Sequence, residues 1–341
     1  MPTHEMYMKR CLQLAEMGKG LVAPNPMVGA VVVYGETIVG EGFHEIYGGP
    51  HAEVNALRGI ANEVLKHSTL YVSLEPCSHY GKTPPCADLI LERQIPRVVV
   101  AMQDPNPKVA GKGIEKLRNA GVEVITDVLQ EEALFVNRRF VTYHQKHRPY
   151  IILKWAQTAD GFISGSDRKP IAITGKLSQV LSHQWRTEEA AIMVGANTVR
   201  TDNPQLTARY FEGRHPVRIT FDRKSEFSTY RIGDAQARTI FFTEGVTEAT
   251  AQPERIAIDF SSDRISQTMQ ALYERGIQSV IIEGGSGLLQ SYINAKVWDE
   301  ARVFTNNSMM LKDGVKAPDL NLGNAVSQEL GKDTMKIIYN K

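Results

Sequence analysis

Apolar positions recur along this chain with two periods, one helical and one extended, and the two alternate. Met6, Met8, Cys11, Leu12 and Ala15 keep helical spacing and predict a helix over Glu5 to Met17. Ala23-Pro24-Asn25-Pro26 breaks the chain before a strand, Val28 to Tyr34, which Gly35-Glu36 turns into a second strand, Thr37 to Gly42. A helix carrying Ala52, Val54, Ala56 and Leu57 follows, then a strand over Thr69 to Leu74 and a helix over Ala87 to Arg93. Val98 to Ala101 is continuously apolar, as suits a strand buried on both faces. Helix Gly113 to Ala120, strand Val122 to Thr126 and helix Glu131 to His144 complete this part. Such alternation predicts an α/β fold with a three-layer α/β/α sandwich in the N-terminal half.

Lys146-His147-Arg148-Pro149 is polar and ends in a proline that blocks helix continuation, so it marks a boundary. The expected division is 1–146 and 147–341, which fits a 341-residue chain at about 100–200 residues per domain. A new strand follows, Tyr150 to Trp155, then a turn at Thr158-Ala159-Asp160-Gly161. Further strands fit Ala191 to Val194, Val217 to Phe221, Thr239 to Phe242, Ile256 to Ile258 and Ser279 to Ile282. Helices fit Lys176 to Thr187, Ile265 to Arg275 and Leu288 to Asn294. The halves show no internal repeat, and no tract is of low complexity.

Composition narrows the functional classes. An apolar share of 42% with 23% charged residues is ordinary for a globular protein, and a net charge of +1 provides no global field for nucleic acid or membrane. No apolar run approaches the ~20 residues of a membrane helix, and the N-terminus lacks the apolar stretch of a secretory signal. The cytoplasm is the default location, and a small-molecule partner and a homo-oligomeric state are expected. Three cysteines without a secretory signal speak against a disulfide, and Cys11 falls on the apolar face of its helix.

Chemistry concentrates between His51 and Cys86. His51-Ala52-Glu53, Cys77 and Cys86 supply one imidazole, two thiols and a glutamate two places beyond the histidine. Three protein ligands suit a catalytic zinc, which leaves a fourth position for water and lowers its pKa from 15.7 to about 7. Glu53 would remain off the metal and move protons between water and a leaving amine. His51 and Cys86 both fall at expected helix starts, where the positive end of the dipole favours thiolates. Each element alone has a bland alternative: His-Ala-Glu is a common triplet, and the cysteines are equally readable as buried thiols. Their order and shared context favour zinc.

The usual zinc-deaminase signature sets its cysteines two residues apart, whereas here Ser78-His79-Tyr80-Gly81-Lys82-Thr83-Pro84-Pro85 intervenes. This segment, together with Asn25-Pro26-Met27-Val28-Gly29 and His51-Ala52-Glu53, resembles the deaminase half of the bifunctional riboflavin-biosynthesis deaminase/reductases. The resemblance implies a cytidine-deaminase-like N-terminal fold. It implies that Asn25 contacts the pyrimidine, that His44 lies in the substrate pocket, and that His79, Lys82, Asp104 and Asn106 hold the ribose phosphate.

Ser279-Val280-Ile281-Ile282 leads into Glu283-Gly284-Gly285-Ser286-Gly287 and a helix, a strand–turn–helix cradle whose free N–H groups suit a phosphate. Many such turns are only tight connections, and neither this run nor Asp104 to Gly113 is a G-x-G-x-x-G fingerprint. Lys154 to Gly161, Val194 to Val199, Asp202 to Thr207 and the glycine turn together are similar to the reductase half of the same family. That implies a dihydrofolate-reductase-like α/β domain. The implied NADPH contacts are Ala156, Thr198, Asp202, Gly285, Ser286 and Gly287. The implied substrate contacts are Arg186, Leu206, Arg209 and Glu283. Relatives often carry a serine and a tryptophan just before Ile-Thr-Gly, where this chain reads Lys169-Pro170-Ile171-Ala172-Ile173-Thr174-Gly175. The expected function is deamination of 2,5-diamino-6-ribosylamino-4(3H)-pyrimidinone 5′-phosphate, then NADPH-dependent reduction of its ribosyl group. Two alternatives stand beside it: a nucleoside or tRNA deaminase with an unrelated appended domain, and a deaminase-like module with a structural metal.

Overall fold

Along the strand Gly29–Tyr34, Ala30 and Val32 join one apolar cluster while Val31 and Val33 join another, so both faces of this strand are covered. That two-sided burial sets the architecture of the first half of the computed structural model, which describes residues 3–80, 84–107, 109–245, 248 and 252–340. The chain divides into two compact units, Met1–His147 and Arg148–Lys341.

In the first unit the order is α1 (His4–Glu16), β1 (Gly29–Tyr34), β2 (Thr37–Phe43), α2 (Ala52–Leu57), α3 (Asn62–Leu65), β3 (Ser68–Val72) and α4 (Cys86–Glu92). It continues through β4 (Arg97–Val100), α5 (Lys112–Asn119), β5 (Glu123–Ile125), α6 (Gln130–Val136) and α7 (Arg138–Lys146). The sheet runs β2-β1-β3-β4-β5, with β1 antiparallel to β2 and β3, and β3, β4 and β5 parallel. Met8, Cys11, Leu12, Ala133 and Val136 cover one face, and Ala52, Ala56, Ala87, Ile90 and Leu117 the other. This is the three-layer sandwich expected from the pattern, and Cys11 is core. The helix α2 lies hard against β2: a Cβ on Gly42 would sit 2.4 Å from the Ala56 N, and one on Gly40 would sit 2.2 Å from the Ala56 O.

The single helix expected over Glu131 to His144 is two. Asn137 separates α6 from α7, and its buried side chain accepts from the Met27 N–H and donates to the Met27 carbonyl, both at 2.9 Å. A side chain that mimics a strand partner for a distant residue outweighs the small helix propensity of one position.

The second unit contains β6 (Tyr150–Thr158), β7 (Phe162–Ser164), α8 (Lys176–Glu188), β8 (Ala191–Val194), α9 (Ala196–Asp202), β9 (Val217–Phe221) and β10 (Thr239–Thr243). It ends with β11 (Glu254–Ala257), α10 (Arg264–Glu274), β12 (Ser279–Glu283), α11 (Ser286–Asn294), β13 (Glu300–Asn306), β14 (Val315–Lys316), β15 (Val326–Leu330) and β16 (Asp333–Tyr339). A nine-stranded sheet has the order β11-β10-β9-β8-β12-β6-β13-β16-β15. It is parallel from β11 to β13 and antiparallel at β13-β16-β15. Met269, Leu272, Leu289 and Tyr292 cover one face; Trp185, Val199 and Phe227 cover the other. Helices α3 and α9 and strands β7, β13, β14, β15 and β16 are not among the elements the pattern predicts; β15 is exposed at four of its five positions and offers no apolar face, although β13 is buried at five of its seven. No helix among the described residues is long and apolar enough to cross a membrane.

Candidate active sites

In the first unit, three elements converge. His51 caps α2, Cys86 begins α4, and Cys77 lies on the segment that leaves β3. The ligand atoms of His51, Cys77 and Cys86 lie within 4.8 Å of one another, the one such cluster among the described residues. His51 Nδ1 is 3.6 Å from the Cys77 Sγ and 3.3 Å from the Cys86 Sγ, while the Cys86 N–H donates to the Cys77 Sγ at 3.2 Å. Hydrogen bonding with Cys86, and then with His51, draws the Cys77 thiol down to about 4 despite burial. Cys86, hydrogen-bonded to Cys77 and buried, is pushed up. Two sulfurs and an imidazole at this spacing fit a zinc ion.

Glu53, two residues into the same helix turn, is 3% exposed. Burial first, then the neighbouring Cys77, raises its carboxyl to about 7, with His51 opposing. A carboxyl poised there can hold or release a proton near neutrality.

Of the other residues expected here, Asn25 and His44 are brought together beside His51. The Asn25 Nδ2 is 3.0 Å from the His44 Nε2, and the His44 and His51 rings meet edge-on at 5.7 Å. The His44 Nδ1 is 2.9 Å from the Pro50 carbonyl, which can only accept, so this nitrogen carries the proton and Nε2 accepts from Asn25. Burial depresses the His44 pKa and keeps the ring neutral. Asp104 and Asn106 share one turn, the Asn106 N–H donating to the Asp104 Oδ1 at 2.8 Å. Burial raises the Asp104 carboxyl to about 6, and exposed His79 is among the charges that lower it. Lys82 lies outside the described residues.

The second unit holds a cavity of about 790 Å³ at the C-terminal ends of β6, β8 and β12. Open parallel sheets bind ligands at this edge. Ala156, Thr198, Asp202, Gly285, Ser286 and Gly287 all line it, as do Arg186, Leu206 and Glu283. Gly284 and Gly285 have φ of +71° and +69°, and a Cβ on Gly285 would lie 3.3 Å from the Thr198 Oγ1. Arg209 is not part of this lining: its side chain is exposed and donates to the Gln205 Oε1 at 3.3 Å. The departing run Lys169 to Ala172 does form part of the wall.

Two residues without an expected role stand out. Lys154 is the register partner of Glu283 across β6 and β12, and its Nζ lies 3.8 Å from the Glu283 Oε1. Burial depresses the Lys154 pKa, Glu283 opposing. Burial alone would raise Glu283, but Arg186 and Lys154 outweigh it and hold the carboxyl at about 2. His183, pushed down to about 4 by burial and by Arg186, accepts from the Arg209 N–H at 2.9 Å. A lysine inside an otherwise apolar strand was the available signal for Lys154. His183 sits mid-helix with no motif to flag it.

The first unit is a cytidine-deaminase-type α/β/α domain and the second a dihydrofolate-reductase-like α/β domain, so the class is a deaminase joined to a reductase. Residues 1–102 match the family described as the cytidine and deoxycytidylate deaminase zinc-binding region, and residues 149–311 match the RibD C-terminal domain. The riboflavin biosynthesis protein RibD of Aquifex aeolicus is 43% identical, over 93% of this chain and 90% of that protein. RibD of Bacillus amyloliquefaciens is 39% identical, over 94% and 88%. A crystal structure from Thermotoga maritima superposes with a TM-score of 0.88 at 39% identity, covering 98% of each chain. That protein is a diaminohydroxyphosphoribosylaminopyrimidine deaminase/5-amino-6-(5-phosphoribosylamino)uracil reductase. This chain belongs to the RibD family of riboflavin-biosynthesis enzymes, with a deaminase and a reductase domain. Its second half is therefore not an unrelated appendage to a nucleoside or tRNA deaminase.

Proposed function

We propose that Met1–His147 removes the 2-amino group of 2,5-diamino-6-ribosylamino-4(3H)-pyrimidinone 5′-phosphate, and that Arg148–Lys341 then reduces the product's ribosyl group to ribityl with NADPH. The observation that carries this reading is the buried Glu53 beside a His51–Cys77–Cys86 donor set whose atoms lie within 4.8 Å. Zinc supplies Lewis acidity that makes water nucleophilic near neutral pH, and NADPH supplies a hydride.

His51, Cys77 and Cys86 hold the metal. Glu53 takes a proton from the attacking water and returns it to the departing ammonia. Asn25, its amide nitrogen committed to His44 at 3.0 Å, offers its carboxamide oxygen to a pyrimidine N–H. His79, Lys82, Asp104 and Asn106 hold the ribose phosphate, Lys82 through its charge. In the second unit Ala156, Thr198, Asp202 and the Gly285-Ser286-Gly287 turn hold NADPH, the turn contributing backbone N–H groups. Glu283 stays ionised and accepts from the pyrimidine. Arg186, anchored by Glu283, and Leu206 orient the substrate, and Arg209 reaches the phosphate after its exposed side chain turns inward.

The test is to incubate the purified chain with the diaminopyrimidine substrate, with and without NADPH, and to follow ammonia and NADPH oxidation. Ammonia is expected in both arms and NADPH oxidation only with deaminated material. Deamination of cytidine or RNA adenine, with neither product from the diaminopyrimidine, would overturn the reading. A second arm compares Glu53→Gln with Asp202→Ala, each expected to impair one reaction and spare the other.

A further inference from the structure

Glu75 lies two residues before Cys77, and its side chain is 4% exposed. Its carboxylate accepts hydrogen bonds from main-chain N–H groups of one loop. The Oε2 accepts from the Asp104 N–H at 3.2 Å and the Gly111 N–H at 2.9 Å, and the Oε1 accepts from the Gly113 N–H at 2.8 Å and the Ile114 N–H at 3.3 Å. The Glu75 N–H donates in turn to the Met102 carbonyl at 3.0 Å. The returning chain lies directly on this segment, since a Cβ on Gly113 would sit 1.9 Å from the Pro76 carbonyl oxygen. One carboxylate therefore closes the loop that carries Asp104 and Asn106 onto the segment that carries Cys77.

We propose that Glu75 is a positioning residue for deamination: by accepting from both ends of this loop it sets Asp104 and Asn106 at a fixed place relative to the metal ligands. The two oxygens of a carboxylate have acceptor sites for all four of these N–H groups. A glutamine offers one acceptor oxygen and turns its NH₂ against the remaining donors, so it can keep only one end of the loop. Burying a carboxylate has a desolvation cost, and preorganisation of the substrate loop is what offsets it in function. The inference rests on the reading that Asp104 and Asn106 contact the ribose phosphate.

The experiment uses the full zinc-loaded chain as wild type, Glu75→Gln, Glu75→Asp and Asp104→Ala. It measures zinc content, KM and kcat for ammonia release from the diaminopyrimidine substrate, and reduction of the pre-deaminated substrate. Glu75→Gln is expected to raise KM about tenfold or more, the worth of hydrogen bonds to a charged group, with kcat within about threefold. Glu75→Asp, which keeps the charge on a shorter arm, should fall between, and zinc content and reduction should hold in both. Asp104→Ala should also raise KM, and its combination with Glu75→Gln should be less than additive because both act through one loop. An unchanged KM in Asp104→Ala removes the substrate role of the loop and the inference with it. A raised KM in Asp104→Ala with wild-type KM in both Glu75 variants overturns the inference alone. Loss of zinc or of the folded first unit in both Glu75 variants makes Glu75 structural support and overturns it as well.

Discussion

Arg186 and Glu283 form a near-fully buried ion pair in the lining of the second unit's cavity, the Arg186 Nη2 donating to the Glu283 Oε2 at 2.7 Å and each side chain only 12% exposed. The Arg186 Nη1 also donates to the Thr207 carbonyl at 3.2 Å, so the guanidinium is fixed from two sides.

A stability profile follows from that pair. The Glu283 carboxyl falls from its ordinary 4.5 to about 2, so the folded state binds its proton more weakly than the unfolded one. The resulting stabilisation is complete above about 4.5 and is lost as pH falls toward 2. Thermal unfolding of the second unit should show a falling midpoint across this window. Glu283→Gln should flatten the profile there and destabilise at pH 7 by about 3–5 kcal/mol, because Arg186 loses its buried partner.

Metal content separates the three proposed ligands from the rest of the first unit. The wild-type chain should hold about one zinc. Cys77→Ser and Cys86→Ser should each lose it, since a hydroxyl is a poor substitute for a thiolate. Elemental analysis with the ammonia assay checks this, and full zinc retention in both variants would refute the ligand set. Chelation should abolish ammonia release and leave reduction of pre-deaminated substrate intact.

Glu53→Gln keeps the shape of the side chain and removes its proton chemistry. Zinc should remain, while kcat for deamination falls by ~10²–10⁴, the usual contribution of a positioned acid–base group. Turnover near that of the wild type in a zinc-loaded variant would contradict the role.

The glycine turn makes a prediction for the second reaction. Gly285 has φ +69°, and an added Cβ would lie 3.3 Å from the Thr198 Oγ1. Gly285→Ala therefore strains the turn by about 1–2 kcal/mol and displaces its N–H groups. The KM for NADPH should rise about tenfold, with ammonia release unchanged; titration of NADPH in the oxidation assay reads it directly.

Much of this protein was legible before any coordinates. Most of the longer strands and helices up to Asn294 followed from the period of apolar residues, because each must present one apolar face, or two, to a core, while the short α3, β7 and α9 did not. His51, Cys77, Cys86 and Glu53 could be named because few chemistries need those residue types in that order, and the cavity-lining Thr198, Asp202 and Gly285 because their motifs recur in a family. The family resemblance, not the periodicity, supplied Asn25, His44, Asp104 and the substrate.

Tertiary structure decided what depends on distant partners. Asn137 looks like a helical residue until its side chain meets Met27, 110 positions away, and divides one helix into two. Strand β15 pairs with β16 and is exposed at four of its five positions, so no local pattern announces it, whereas β16 pairs with β13 and packs Met335 and Ile337 into a core cluster. Glu75 reads in sequence as one acidic residue beside a cysteine, and only the folded loop reveals the N–H groups it accepts from. Lys154 and Glu283 are 129 residues apart and adjacent only because β6 and β12 pair in parallel register. Residue type and spacing carry the chemistry a side chain can perform; its protonation, partners and exposure come from groups that the chain brings beside it only on folding.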